Sequence, residues 1–192
     1  MTVLIELDVE FNISEADYAI RFDDDGIHAS STAKRVDFIA EYDGAYRFIE
    51  VKDVDAPDIS NKDAFVEKLK TNQLVNSLAG KYRDTIFFRK NCTEHKPDFA
   101  IDYIVLIAMI DLEPALALTR QDLLHRSIPI QNQAWSNNSV RNCVIVNLES
   151  YKRQFGENSV AASADADGNI SVNVATEGNY HFQLDALQDT PE

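Results

Sequence analysis

The stretch Arg35 to Asp53, RVDFIAEYDGAYRFIEVKD, holds two apolar runs, Val36 to Tyr42 and Ala45 to Val51, on either side of Asp43-Gly44. Asp-Gly between alternating apolar residues is a strong signal for a two-residue hairpin loop. With that loop, Tyr42 pairs with Ala45, and counting outward sets Asp37 opposite Glu50. Side chains alternate along a strand, so Lys52 shares a face with Glu50, while Ile49 and Val51 share the other face with Phe38 and Ala40. Directly opposed residues have Cβ atoms about 5 Å apart, so two facing carboxylates repel unless a positive charge neutralises them. A hard divalent cation does this while keeping waters for a phosphate substrate. The residues by themselves fit two arrangements, a metal-binding pair or a solvated salt-bridge ladder of little energetic weight.

An Asp, a two-strand hairpin, then Glu50-Val51-Lys52 and a following helical pattern resemble the PD-(D/E)xK nuclease superfamily, over about residues 14 to 89. The resemblance implies an α/β, restriction-endonuclease-like fold and hydrolysis of phosphodiester bonds with Mg2+ or Mn2+. It implies metal ligation by Asp37 and Glu50, with Lys52 assisting the attacking water. One branch of that superfamily places a glutamine, in Gln-x-x-x-Tyr, on the helix after Glu-x-Lys, and Gln73 matches it as a substrate-binding residue. An early helix often adds an acid, for which Glu15 is the candidate. Two positions depart from the pattern: Val36 stands at the proline position, and Ser77 at the tyrosine position.

The charge argues against a strong nucleic-acid binder. The 192 residues carry a formal net charge of −14, and phosphate contacts usually require a basic footprint. The acids are unevenly spread. Residues 61–100 carry eight bases and five acids, and residues 157–192 carry seven acids and no base. Lys68, Lys70, Lys81, Arg83, Arg89 and Lys90 are therefore expected to form a modest basic face beside the hairpin. The expected partner is nucleic acid, DNA first, held weakly. No apolar run is long enough to span a membrane and no basic-then-apolar leader opens the chain, so a cytoplasmic protein is expected. Cys92 and Cys143 lie far apart and read as ordinary thiols, and His95 three residues after Cys92 is insufficient for zinc.

Outside the hairpin, alternation over Val3 to Phe11 predicts a half-buried strand. Ser14 with Asp17 resembles a capping box and predicts a short helix over Ala16 to Phe22. Asp23-Asp24-Asp25-Gly26 ends that element, and His28, Ser30 and Ser31 fall in a polar loop. A turn containing Pro57 precedes a helix from Asn61 to Ala79 that stops at Gly80, with Phe65, Val66, Leu69 and Gln73 along one stripe. Strands are expected over Thr85 to Arg89, Tyr103 to Ile110 and Val140 to Leu148. Helices are expected from Glu113-Pro114 to Arg126 and from about 149 to Phe155, ending at Gly156. Asn132 to Asn138, with Trp135, reads as loop. The last 36 residues read as a small acidic hairpin, in which Asp165, Asp167 and Gly168 match only part of a calcium loop.

These readings combine into an α/β domain, residues 1–156, built on a mixed central sheet flanked by helices, followed by an acidic β appendage, residues 157–192. Two functions follow. One is a Mg2+-dependent nuclease; the other is an inactive, acidic nuclease-fold domain that binds a basic protein surface as an immunity, inhibitor or assembly module.

Overall fold

The computed structural model describes residues 3–6, 9–13, 15–28, 32–42, 44–54, 62–92, 96, 99–130, 139–155 and 160–161. In chain order the elements are β1 (Val3–Glu6), β2 (Val9–Asn12), β3 (Tyr18–Arg21), α1 (Asp25–His28), β4 (Phe38–Tyr42), β5 (Ala45–Asp53), α2 (Lys62–Lys70), α3 (Gln73–Cys92), β6 (Ala100–Ala108), α4 (Pro114–His125), β7 (Val140–Val146), α5 (Leu148–Phe155) and β8 (Val160–Ala161). The main sheet runs β3-β4-β5-β6-β7, and β1-β2-β8 form a smaller one. The pairs β3·β4 and β4·β5 are antiparallel, whereas β5·β6 and β6·β7 are parallel. The protein is thus α/β, with a mixed five-stranded sheet and helical crossovers between its parallel strands, as parallel pairing requires.

The hairpin stands in the expected register, with Tyr42 opposite Ala45 and Phe38 opposite Ile49. Gly44 has a φ of 72°, a left-handed conformation that glycine adopts without the steric penalty of a Cβ; Asp43 lies outside the described residues. Strand β5 sits at the centre of the sheet, and both its faces are covered. On one face Phe38, Ala40, Ile49, Val51, Ile104 and Leu106 pack against Val9, Phe11 and Ile13 and against Tyr151 and Phe155 of α5. On the other, Ile39, Tyr46, Phe48, Tyr103 and Val105 pack against Leu69, Leu74, Leu78, Tyr82 and Leu124 of the three longer helices. Each such side chain contributes about 1.5 to 3 kcal/mol when fully buried, so β5 and β6 are both strongly held.

Several expectations are corrected. Val3 to Phe11 is two strands paired with each other, Leu4 opposite Phe11 and Glu6 opposite Val9. Opposed residues share a face, so Glu6 points inward with Val9 while Ile5 is exposed. Tyr18 to Arg21 is a strand and not a helix: β4 offers it a full ladder of backbone partners, and a four-residue segment holding Tyr and Ile gains more from pairing than from one helical turn. The acidic run after it does not simply end an element, because Asp25 opens the single turn α1. His28 in that turn is buried, donates from Nε2 to the Phe22 carbonyl at 2.5 Å and packs edge-on against Phe22 and Phe88. It anchors the segment against the core; Ser30 and Ser31 lie outside the described residues.

The long helix breaks at Thr71-Asn72 and resumes as α3, which passes straight through Gly80 and absorbs the strand expected at Thr85 to Arg89. Gly80 lies under the Lys34 stem, whose Cδ would stand 3.4 Å from an added Cβ. The expected β6, α4, β7 and α5 are present within a few residues of their bounds, with Pro114 opening α4. Cys143 is buried, and burial pushes its thiol far up. Ser14, Pro57, Asn61, His95, Trp135, Gly156 and the Cys92 side chain lie outside the described residues, as does the C-terminal appendage except Val160 and Ala161, which pair with β2. No helix among the described residues is long and apolar enough to cross a membrane.

Candidate metal centre

Asp37 lies one residue before β4, and three backbone contacts fix it there. The Val36 N–H donates to Thr85 Oγ1 of α3 at 3.0 Å, the Phe22 N–H donates to the Asp37 carbonyl at 2.7 Å, and the Val51 N–H donates to Asp37 Oδ2 at 2.6 Å. The last of these spans the hairpin and draws the Asp37 carboxylate toward the residue after Glu50. Glu50, on β5, is wholly buried. Lys81, one helical turn before Thr85, reaches down from α3, and its Nζ stands 2.9 Å from Asp37 Oδ1 and 2.7 Å from Glu50 Oε1. Lys52 Nζ also donates to Glu50 Oε1 and, at 3.0 Å, to the Val51 carbonyl. Asp37, Glu50 and Lys52 are therefore brought together at one end of the hairpin.

The electrostatics are uneven. Glu50 Oε1 faces two ammonium groups, while Glu50 Oε2 is buried with no hydrogen-bond partner among the described residues. Burial pushes the Glu50 carboxyl up to about 7; Lys52 and Lys81 pull it down, and Asp37 pushes it up further. Burial also lowers the Lys81 ammonium, but Glu50 and Asp37 beside it more than compensate, and the net shift is upward. This is the balance expected where a desolvated anion has cations on one side only.

Two further acids join from elements outside the hairpin. Glu6 on β1 and Asp23 after β3 each place a carboxylate oxygen within 4.8 Å of one another and of Asp37. Arg21 organises them: its Nε donates to Asp23 Oδ1 at 2.9 Å, and its Nη2 stands 2.6 Å from Glu6 Oε2 as an ion pair, without hydrogen-bond alignment. Burial raises the Glu6 carboxyl, and Asp37 and Asp23 raise it again. A divalent cation takes oxygens from one or two carboxylates plus water. Asp37 with Glu50 could hold one, as could Asp37 with Glu6 and Asp23.

The remaining expected residues lie elsewhere. Gln73 is exposed in the first turn of α3, about 12 Å along the helix from Lys81. The break at Thr71-Asn72 rotates it off the stripe that an unbroken helix would have continued. Glu15 is exposed in the turn before β3, because the early helix that would have aimed it is a strand. Of the expected basic face, Lys68, Lys70, Arg83 and Lys90 are exposed, Lys81 turns into the acids, and Arg89 is buried with its guanidinium 4.5 Å from the Tyr46 ring centre. Lys81 was findable as the residue seven after Leu74 and three after Leu78 on the buried face of a helix running past Gly80. Glu6 and Asp23 had no comparable signal, since their approach depends on a strand break and on pairing between distant segments. Comparison of the chain with family models, curated proteins and solved structures finds no match in any of the three.

Proposed function

We propose that the protein is a metal-dependent phosphodiesterase acting on nucleic acid, with Asp37, Glu50 and Lys52 as its working residues and a restriction-endonuclease-like arrangement of its sheet. The observation that carries this reading is Glu50: an acid wholly inside the sheet, with one oxygen under two ammonium groups and the other without a donor among the described residues. A group so placed is unfavourable for stability alone and makes sense as half of a cation site. The hairpin followed by two parallel crossovers supports the fold assignment.

Mg2+ or Mn2+ held by Asp37 and Glu50 would supply Lewis-acid polarisation of a phosphoryl oxygen and would lower the pKa of a bound water, so that it loses a proton and becomes the better nucleophile. The chain's own residues do the rest. The Val51 N–H fixes the rotation of the Asp37 carboxylate, which leaves its Oδ1 on the side where Lys81 bridges to Glu50. Glu50 would contribute Oε2, an acceptor with no donor among the described residues. Lys52, partly exposed beside Glu50, places an ammonium where negative charge develops on an attacked phosphate, an interaction worth most when preorganised. The exposed Lys34 and Arg83 flank Gly80 next to Lys81, with Lys34 Nζ and Arg83 Nη2 each within 4 Å of where a Cβ would stand; this is a short basic edge for a phosphate backbone. So small an edge on so acidic a chain implies weak, salt-sensitive binding, DNA first.

The test is cleavage of single- and double-stranded DNA and of RNA at low ionic strength, with Mg2+, with Mn2+ and with chelator. Metal-dependent cutting is expected, lost in Glu50→Ala and Lys52→Ala. An absence of cutting with every substrate and both metals contradicts the proposal. The charge of −14 then favours the other reading, an inactive nuclease-fold module that binds a basic protein surface.

A further inference from the structure

Lys81 has no place in the chemistry assigned to Asp37, Glu50 and Lys52, yet it makes the closest bridge between the two acids. Its Nζ stands 2.9 Å from Asp37 Oδ1 and 2.7 Å from Glu50 Oε1, so it touches both carboxylates that would share a cation. Lys52 differs, since its ammonium contacts Glu50 and the Val51 carbonyl but is not in ion-pair contact with Asp37. The two lysines also come from different kinds of element. Lys52 comes from a central strand and Lys81 from a helix, each ending a flexible four-carbon stem, with side chains 30% and 20% exposed.

We propose that Lys81 is a built-in counter-ion that holds the place of the divalent cation between Asp37 and Glu50 and must swing out when the metal enters. The Lys81 ammonium holds Asp37 Oδ1, which a divalent cation resting on Glu50 Oε2 would also have to reach, and at so short a range the two charges repel. The partial exposure of the Lys81 side chain leaves its ammonium a way out to solvent when the cation enters. Without the metal, Lys81 keeps two buried acids from facing each other uncompensated. This inference rests on the metal-centre reading of Asp37 and Glu50 and adds to it a residue that sets how readily the centre loads.

The experiment is calorimetric titration of Mn2+ into the full chain, without nucleic acid, for the wild type, Lys81→Met and Lys81→Arg. Removing one positive charge within hydrogen-bond distance of both ligands is expected to tighten Mn2+ binding on the order of tenfold. Lys81→Arg keeps the charge and is expected to stay within about threefold of wild type. In chelator Lys81→Met is expected to unfold at a lower temperature than wild type, and Mn2+ to raise its midpoint by more. If Lys81→Met yields little folded chain, Lys81→Gln, neutral but still a donor, takes its place in the same titration. Tighter binding in the neutral variant supports the proposal, including the case in which only that variant binds. Equal or weaker binding in the neutral variant, with the wild type binding Mn2+, overturns the counter-ion and leaves the metal centre standing. Binding by neither overturns both.

Discussion

Two buried acids sit on neighbouring strands of the same sheet, and they are treated in opposite ways. Asp102 on β6 is fully answered: Arg141 donates from Nε to Oδ1 at 3.0 Å and from Nη2 to Oδ2 at 2.5 Å, and Asn142 donates to Oδ1 at 2.8 Å. Glu50 on β5 is more deeply buried, yet both its cations crowd one oxygen and the other oxygen has none. The first arrangement is complete in itself and ties β6 to β7. The second is incomplete and sits where Asp37 adds further negative charge. Burial alone therefore does not mark a functional acid; an unanswered acceptor among like charges does.

The contrast is sharpened first by Asp102→Ala. Hydrogen bonds to charged groups contribute about 1.5 to 3 kcal/mol each, but Arg141 is half exposed and regains water, so a loss of about 2 kcal/mol is expected in denaturant unfolding. Glu50→Gln is expected to act in the opposite direction when metal is absent. The folded Glu50 carboxyl titrates near 7 against an ordinary 4.5, so between those values the folded state binds more protons than the unfolded one. Stability therefore falls as pH rises through that window, and the penalty is complete above pH 7. In chelator at pH 8, Glu50→Gln is expected to be more stable than wild type by about 1 kcal/mol, with the gap closing by pH 4.5. A gap independent of pH would remove the contrast with Asp102. The smallest effect belongs to Gln73→Ala: on an exposed helix turn it is expected to change stability by less than about 0.5 kcal/mol and to leave any cleavage rate unchanged.

The parts of this architecture that sequence made legible are those in which local chemistry and tertiary packing agree. The Asp43-Gly44 loop and the alternation around it placed Tyr42 against Ala45 and put Glu50 and Lys52 together. The unbroken apolar run of β6 and the proline opening α4 were equally plain. Misreadings arose where local preference was overruled. Tyr18 to Arg21 follows a cap-like serine, but β4 gave it a sheet partner. Thr85 to Phe88 is β-branched and aromatic, yet it extends a helix already twelve residues long, with Thr85 buried and Phe87 exposed. Gly80 read as a stop, although Lys34 packs over it in mid-helix. That one misreading hid Lys81, because a helix ending at residue 79 cannot carry a lysine back over Asp37. Glu6 and Asp23 come from segments separated from Asp37 by folding alone, and no spacing rule links them.

The central claim is that the unanswered oxygen of Glu50, together with Asp37, is completed by a divalent cation. The most direct measurement is Mn2+ titration of the metal-free chain by calorimetry at pH 8, comparing wild type with Glu50→Gln and Lys52→Ala. The account requires binding by the wild type, loss of that binding in Glu50→Gln, and its retention in Lys52→Ala, whose ammonium is not a ligand. Mn2+ binding that survives Glu50→Gln unchanged, or no binding by any of the three, contradicts it.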